Sequence, residues 1–267
     1  MIVIVIPAFA GIRSSGHASP SAESRWLMAV YSECNMDLIW EGLGQAFWLI
    51  IRGDPEMLRV LLLSLQVSGS ATALSLVLGI PAGTFLALSH FPGRRVIVSL
   101  VNTGMGLPPV VVGLFVTIML WRNGPLGLLH ILYTPTAMVI AQCIIAAPIV
   151  TGLTVAAIQQ LNPKLHLQIL ALGATRPQMV WLLLREARLP LLAAVMAGFG
   201  GVISEIGASM MVGGNIMRQT RVLTTATVME TSKGNFAMAI ALSVILLVLV
   251  YLVNLSLTLI QQRKRPL

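Results

Sequence analysis

Residues Asn162–Pro190 read NPKLHLQILALGATRPQMVWLLLREARLP. Two short helical patterns flank Leu172-Gly173-Ala174-Thr175, and a glycine such as Gly173 takes the left-handed backbone angle that lets one helix turn into the next. Leu172, Met179, Val180 and Trp181 are expected to form an apolar knob, ringed by Arg176, Arg185 and Arg188. An exposed apolar knob on a polar loop is expected to dock into a partner; the alternative is a helix lying on lipid. The flanks decide the fold. Thr136–Leu161 and Leu189–Val212 are apolar runs, each as long as the roughly 20 residues that cross a bilayer core. The stretch 162–188 is therefore a loop between two membrane spans.

Three further runs of that length lie outward from it: Leu58–Leu88, Val96–Trp121 and Phe236–Ile260. None alternates with the period of two that a barrel strand shows, so all five are read as helices. Pro81, Pro108, Pro109 and Pro148 lie inside them, and each removes a backbone donor and kinks its helix. Composition agrees. Of 267 residues, 57% are hydrophobic and only 10% charged, against about a quarter charged in a soluble domain. Mean hydropathy is +0.89. A soluble single-core enzyme is excluded, and the expected fold class is an all-α integral membrane bundle of five kinked spans. The net charge of +8 would suggest nucleic acid in a soluble protein. Here the basic residues sit between apolar runs, as membrane orientation signals do.

Those signals set the expected topology. Arg94, Arg95, Lys164, Arg176, Arg185, Arg188, Arg263, Lys264 and Arg265 fall on one side if the helices alternate. Arg52, Arg59, Arg122, Arg218, Arg221 and Lys233 fall on the other. The richer side is expected to be cytoplasmic, which puts the basic tail 261–267 inside. Residues 36–57 are read as an interfacial segment on the outer face. Leu38–Ile51 is apolar but short, and Trp40, Phe47 and Trp48 suit the headgroup region; a sixth span is the alternative. Residues 1–35 are read as a non-native or disordered extension. The stretch Gly11–Glu33 is rich in Ser, Ala and charge, and Met36 opens a sequence that reads as a membrane-protein start. A cleaved signal peptide ending at Ala8-Phe9-Ala10 is the alternative, although a basic leader region is missing.

Polar and small residues within the spans are the candidates for function. Ala193, Ala197 and Gly201 recur every four residues, with Ala194 and Gly198 one position on. Gly69/Ala73 and Gly79/Gly83 repeat the pattern in the first span. Such stripes let backbones approach closely, within a bundle or between subunits. Glu205 is the only acidic residue inside the five spans; it is expected to pair with an arginine, cap a broken helix or line a pathway. Gln66, Asn102, Gln142 and Asn254 are expected to hydrogen-bond between helices. The polar stretch after the fourth span contains Asn215, Arg218 and Arg221, with Thr224, Thr225 and Thr227. It reads either as an electropositive mouth for an anion or as a solvated loop. Glu205, Asn215, Arg218 and Arg221 are the pathway or gate candidates.

Enzyme signatures are missing. His17, His90, His130 and His166 are scattered, and the chain has no HExxH, no GxSxG and no GxxxxGK[ST] phosphate loop. Cys34 and Cys143 suggest neither a disulfide framework nor a metal site. No catalytic residue, metal or cofactor is expected in the chain itself. An ion-coupled carrier is a rival reading, but it calls for more intramembrane acids or paired broken helices.

The loop at 162–188 resembles the coupling loop of permease subunits of binding-protein-dependent ABC importers. Gly173 matches that loop's glycine, while Leu167-Gln168-Ile169 stand where the family has Glu-Ala-Ala. LPPVVVGL (Leu107–Leu114) is similar to the second-span signature of oxyanion permeases for molybdate, tungstate and sulfate. TPTAMVIAQ (Thr134–Gln142), LREARLPLLAAV (Leu184–Val195) and ISEIGASMMVGGNI (Ile203–Ile216) resemble tungstate-type permeases. The resemblance implies the MetI-like permease fold, with Leu172, Gly173, Ala174, Thr175, Arg176 and Met179 coupling the chain to an ATPase. It implies a permease homodimer in a prokaryotic inner membrane. Two cytoplasmic ATPase subunits would bind ATP and Mg, and an outer oxyanion-binding protein would deliver tungstate or molybdate. A molybdate/sulfate-type permease is the alternative within the family.

Overall fold

The computed structural model describes residues 22–262, and among them every regular element is a helix. The readings of residues 1–21 and of the basic tail from Arg263 lie outside the described residues. Eleven α-helices are described: α1 (Ala22–Arg52), α2 (Pro55–Leu88), α3 (Arg94–Met105), α4 (Pro109–Leu120), α5 (Pro135–Gln159), α6 (Pro163–Ala171), α7 (Arg176–Glu186), α8 (Arg188–Ile203), α9 (Gly207–Gly213), α10 (Leu223–Ser232) and α11 (Phe236–Gln262). The chain forms two compact units. Among the described residues, one holds those up to Asp54 together with Ala226–Ile245, and the other holds Pro55–Thr225 and those from Leu246.

In the larger unit α5 is the central helix, contacted by α2, α3, α4, α8 and α9. The reason is visible in α2. Its buried residues Met57, Val60, Ser64, Val67, Ala71 and Ser75 recur at three- and four-residue intervals, which aligns them on one helical face. The hydroxyls on that face are neutralised locally: Ser64, Thr72 and Ser75 each donate to the carbonyl four residues back at 2.7 Å. The face is therefore small and free of unsatisfied polar groups, and α5 approaches it closely. A methyl group on Gly79 would stand 2.8 Å from Val150 Cγ1, and one on Gly83 would stand 2.7 Å from the Thr151 carbonyl oxygen. The opposite face of α2 exposes Leu62, Leu74, Val77, Leu78 and Phe85, a pattern fitted to lipid rather than water. Met138 and Val212 are fully buried in the adjoining core with Val67, Val112 and Val116. Gln142 Nε2 donates to Ser209 Oγ at 3.0 Å in this core, joining α5 to α9 as expected of an interhelical amide.

Two of the five expected spans are broken rather than kinked. Val96–Trp121 divides into α3 and α4, bent by 100°. Gly106 ends α3, Pro108 has an extended backbone, and Pro109 opens α4. Proline lacks the donor and disfavours helical geometry in the residue before it, so consecutive prolines stop one helix and start the next. Pro81 and Pro148, standing alone, remain inside continuous helices. Leu189–Val212 likewise divides into α8 and α9, bent by 58°. Ser204 Oγ donates to the Gly200 and Gly201 carbonyls at 2.8 and 3.2 Å, supplying the last turn of α8 with partners where the helix ends. Helices α2, α5 and α11 are long and apolar enough to span singly, and the described residues make five spans if each bent pair counts as one.

The smaller unit also departs from expectation. Leu38–Ile51 is part of a helix that starts at Ala22, inside the stretch read as disordered. AESRWLMA is rich in helix formers, which outweighs its polarity. Gly53 (φ 60) ends α1. Trp40, Phe47 and Trp48 are exposed, and the Arg52 guanidinium lies 4.6 Å from the Trp48 ring centroid. Gly42 is buried where a methyl group would meet Ile240 of α11 at 2.6 Å. The stretch after the fourth span, one reading of which was a solvated loop, contains α10 instead.

Candidate functional site

Three places carry the residues singled out above: the α6–α7 hairpin, the break between α8 and α9, and the turn between α9 and α10.

The hairpin is built from its caps. Asn162 Oδ1 accepts the Lys164 N–H at 2.9 Å to start α6. At its end Gly173 adopts φ 83. The Gly173 N–H donates to Leu170 O at 3.0 Å and the Ala174 N–H to Ile169 O at 3.3 Å. That pair of bonds is the Schellman arrangement, which needs a left-handed residue at Gly173. Gln178 Oε1 accepts the Thr175 N–H at 2.8 Å and opens α7. Between the two helices Ile169, Met179 and Leu183 are buried together, with Ala174 and Leu88 packed against them. Met179 is thus not part of an outward knob: three residues into α7, it points back at α6. Leu172 is 88% exposed, Trp181 58% and Leu167 67%. Arg185 sits 5.4 Å from the Trp181 ring centroid. Arg176 lines a cavity of about 870 Å³ between this hairpin and the end of α2, with His90, Ser89 and Met179. On α6 Leu167 and Gln168 are exposed while Ile169 is buried, so Leu167 joins Leu172 and Trp181 as an exposed apolar residue of the hairpin.

At the second break, Glu205 Oε1 accepts the Ala208 N–H at 3.1 Å. The Glu205 carbonyl accepts the Thr224 hydroxyl at 3.3 Å. Of the roles open to this acid, the geometry assigns capping of a broken helix: the carboxylate meets the free N–H groups at the start of α9. The small-residue stripe divides between two faces. Ala194 and Gly198 are buried, with a methyl on Gly198 falling 3.2 Å from Val150. Ala193 and Ala197 are exposed, and Gly201 is half-buried.

The turn after α9 is folded around a buried threonine. The Thr220 hydroxyl donates to the Gly213 carbonyl and accepts the Ile216 N–H at 2.9 Å. Asn215 (φ 51) and Arg218 (φ 63) both lie in the left-handed region; this is common for asparagine and rare for arginine. Asn215 Nδ2 donates to the Thr225 carbonyl at 3.5 Å, so its amide braces the turn. The Leu223 N–H donates to Ser64 Oγ at 2.8 Å, fastening the segment to α2. Thr225 is fully buried and its hydroxyl donates to the Val222 carbonyl at 3.0 Å. Thr224 and Thr225 therefore hold α10 in place rather than offering hydroxyls to a ligand. Arg218 and Arg221 do come together with Arg59 of α2 around one cavity; the sequence reading used Arg59 only as an orientation charge. Among the described residues no group of three His, Cys, Asp or Glu side chains is placed to hold a metal ion.

Comparison with known proteins adds four findings. The family model for the binding-protein-dependent transport system inner membrane component matches residues 79–266. The tungstate uptake system permease protein of Peptoclostridium acidaminophilum is 40% identical over 219 residues, covering 82% of this chain and 96% of its own. A probable anion ABC transporter permease protein of Haloferax volcanii is 41% identical over 203 residues, 74% of this chain and 88% of its own. Among solved structures, an inward-facing form of the MetNI methionine ABC transporter superposes with a TM-score of 0.64 at 23% identity, over 82% of this chain and 97% of that one.

Proposed function

The chain belongs to the family of binding-protein-dependent transport system inner membrane components, and from that premise we propose that it forms the translocation path of an ATP-driven importer of tungstate or molybdate. Its family makes it the permease subunit of an inner-membrane ABC importer, working with a separate ATPase and a substrate-binding protein. The observation that carries the oxyanion reading is the 40% identity, over nearly the whole length of the relative, to a tungstate uptake permease. The rest of the proposal follows from chemistry and geometry. Two copies pair through the exposed small-residue face of α8, where Ala193, Ala197 and Gly201 admit a second backbone. The α6–α7 hairpin faces the cytoplasm together with the C-terminus, and Leu172, Gly173, Ala174, Thr175 and Arg176 meet the ATPase.

Transport then proceeds by alternating access. ATP closes the ATPase dimer and draws the two hairpins together. The rigid caps and the Ile169–Met179–Leu183 core pass that movement to α2 through Leu88. The bundle opens outward, receives the oxyanion, and returns inward on hydrolysis. The breaks at Gly106–Pro108 and Ser204–Ile206 are where the helices bend with least loss of backbone bonding. Glu205, as cap of α9, is a gate residue by position, and Asn215, Arg218 and Arg221 lie towards the outer mouth.

The test is uptake. Cells lacking their own tungstate and molybdate importers would express the permease with its ATPase and binding protein, and metal content would be read by mass spectrometry. ATP-dependent tungstate accumulation is expected. Accumulation that persists after ATP depletion, or a system that moves neither oxyanion, refutes the proposal.

A further inference from the structure

We infer that Arg59, Arg218 and Arg221 form a binding site for a free divalent tetrahedral oxyanion on the permease itself. The inference rests on the oxyanion-import reading and adds a site, a ligand charge and a residue, Arg59, that neither the motifs nor the family match assigns. The three arginines line a cavity of about 160 Å³ with Gln66, Gln219 and Glu56. One water needs about 10–15 Å³ of such space, so the cavity has room for a small anion and part of its hydration.

Four observations converge. First, the lining holds three arginines and one glutamate, two formal positive charges in excess. That matches a dianion, and planar guanidinium forks suit two oxygens of a tetrahedral group. Second, the Arg221 Nε is buried and has no hydrogen-bond partner, although a buried donor is ordinarily satisfied. Third, Arg218 is held at φ 63, an uncommon backbone state for arginine, and such outliers concentrate where a ligand must be met. Fourth, the backbone that carries two of the arginines is fixed. Thr220 closes the turn that carries Arg218 and Arg221, and the Leu223 N–H to Ser64 bond fixes that turn on α2. Arg59 and Gln66 are seven residues apart on α2, two turns along one face. Glu56, Arg59 and Arg218 also line a neighbouring recess with Pro55.

The same chemistry would hold the phosphate of a lipid headgroup or a carboxylate of the docked binding protein, and the experiment separates these. The permease–ATPase complex is reconstituted in nanodiscs of zwitterionic phosphatidylcholine, without binding protein, and titrated calorimetrically with sodium tungstate and sodium sulfate. One saturable tungstate site per permease chain is expected. Affinity should fall at least tenfold in Arg59→Gln and in Arg221→Gln, less in Arg59→Lys, and should fall as salt rises. Arg59 is exposed, so its variants keep the test open if Arg221→Gln does not fold. No tungstate binding, or equal binding in wild type and Arg59→Gln, overturns the site. Tungstate heat that is abolished when phosphatidylglycerol is added to the nanodiscs, or that appears only when binding protein is added, overturns the free-oxyanion assignment. If the complete assembly imports tungstate while the permease alone binds none, this inference fails and the import reading stands. If the assembly imports no oxyanion, the import reading fails independently.

Discussion

Replacing Gly173 separates backbone conformation from every other contribution in the α6–α7 hairpin. A methyl group at this position meets nothing within 4 Å, and φ is +83. A side chain therefore costs nothing sterically against neighbours and acts only through the left-handed backbone. For an L-residue that cost is about 1–2 kcal/mol, with asparagine tolerated best. The turn is held by two Schellman bonds, from Gly173 and Ala174 to Leu170 and Ile169. Net worth is about 0.5–1.5 kcal/mol for each such bond. The penalty is thus the size of the interaction that holds the turn. A β-branched residue should move its equilibrium by a factor of about 5–30. Tungstate uptake in Gly173→Val should fall about 5- to 30-fold, with permease abundance in the membrane unchanged because the site is exposed. Gly173→Asn should keep most of the uptake. The assay is uptake in the complete assembly beside quantitative immunodetection of membrane protein. Equal uptake in the valine and asparagine variants would refute the conformational argument, as would loss of Gly173→Val from the membrane.

The glycines of α2 should behave differently from one another. Gly83→Leu drives a side chain against the Thr151 backbone carbonyl, and overpacking of this kind costs about 1–3 kcal/mol or more. Gly69→Ala meets nothing within 4 Å and should gain up to about 1 kcal/mol of helix propensity. Thermal denaturation in detergent should order them Gly69→Ala, wild type, Gly83→Leu, and identical melting would contradict the α2–α5 packing described. In the hairpin, Met179→Ala removes a buried side chain, a loss of about 2–5 kcal/mol, and should open α6–α7 to limited proteolysis. Leu172→Ala should change proteolysis little yet weaken recovery of the ATPase on affinity purification; the reverse pattern would show that the two residues have been assigned to the wrong faces.

Much of this protein is written in one dimension. Apolar runs of bilayer length, too few charges for a water-facing surface and the glycine elbow between Asn162 and Pro190 determine an all-helical membrane protein with a protruding hairpin. These are local or additive properties: hydropathy sums along the chain, and only a residue free to take φ 83 closes that turn. The prolines at 108 and 109 announce a distortion for the same reason, though whether the chain kinks or turns by 100° depends on α5 packing against α3 through Pro148 and Gly104.

The tertiary structure alone decided which way each residue faces. Gly69, Gly79 and Gly83 look alike in sequence, yet only the last two lie where α5 passes. Ala193 and Ala194 differ by one position on α8, yet the first is exposed and the second buried. Met179 belongs to the hairpin core because α6 folds back on α7, a contact that no spacing within α7 reveals. Arg59 stands about 160 positions from Arg218 and Arg221, and the three meet only because Ser64 ties the distant turn to α2. Hydrophobic length selects helices in a membrane, because the bilayer asks the same of every residue it covers. Facing and convergence arise from pairs of elements, and the physics that fixes them acts across space rather than along the chain.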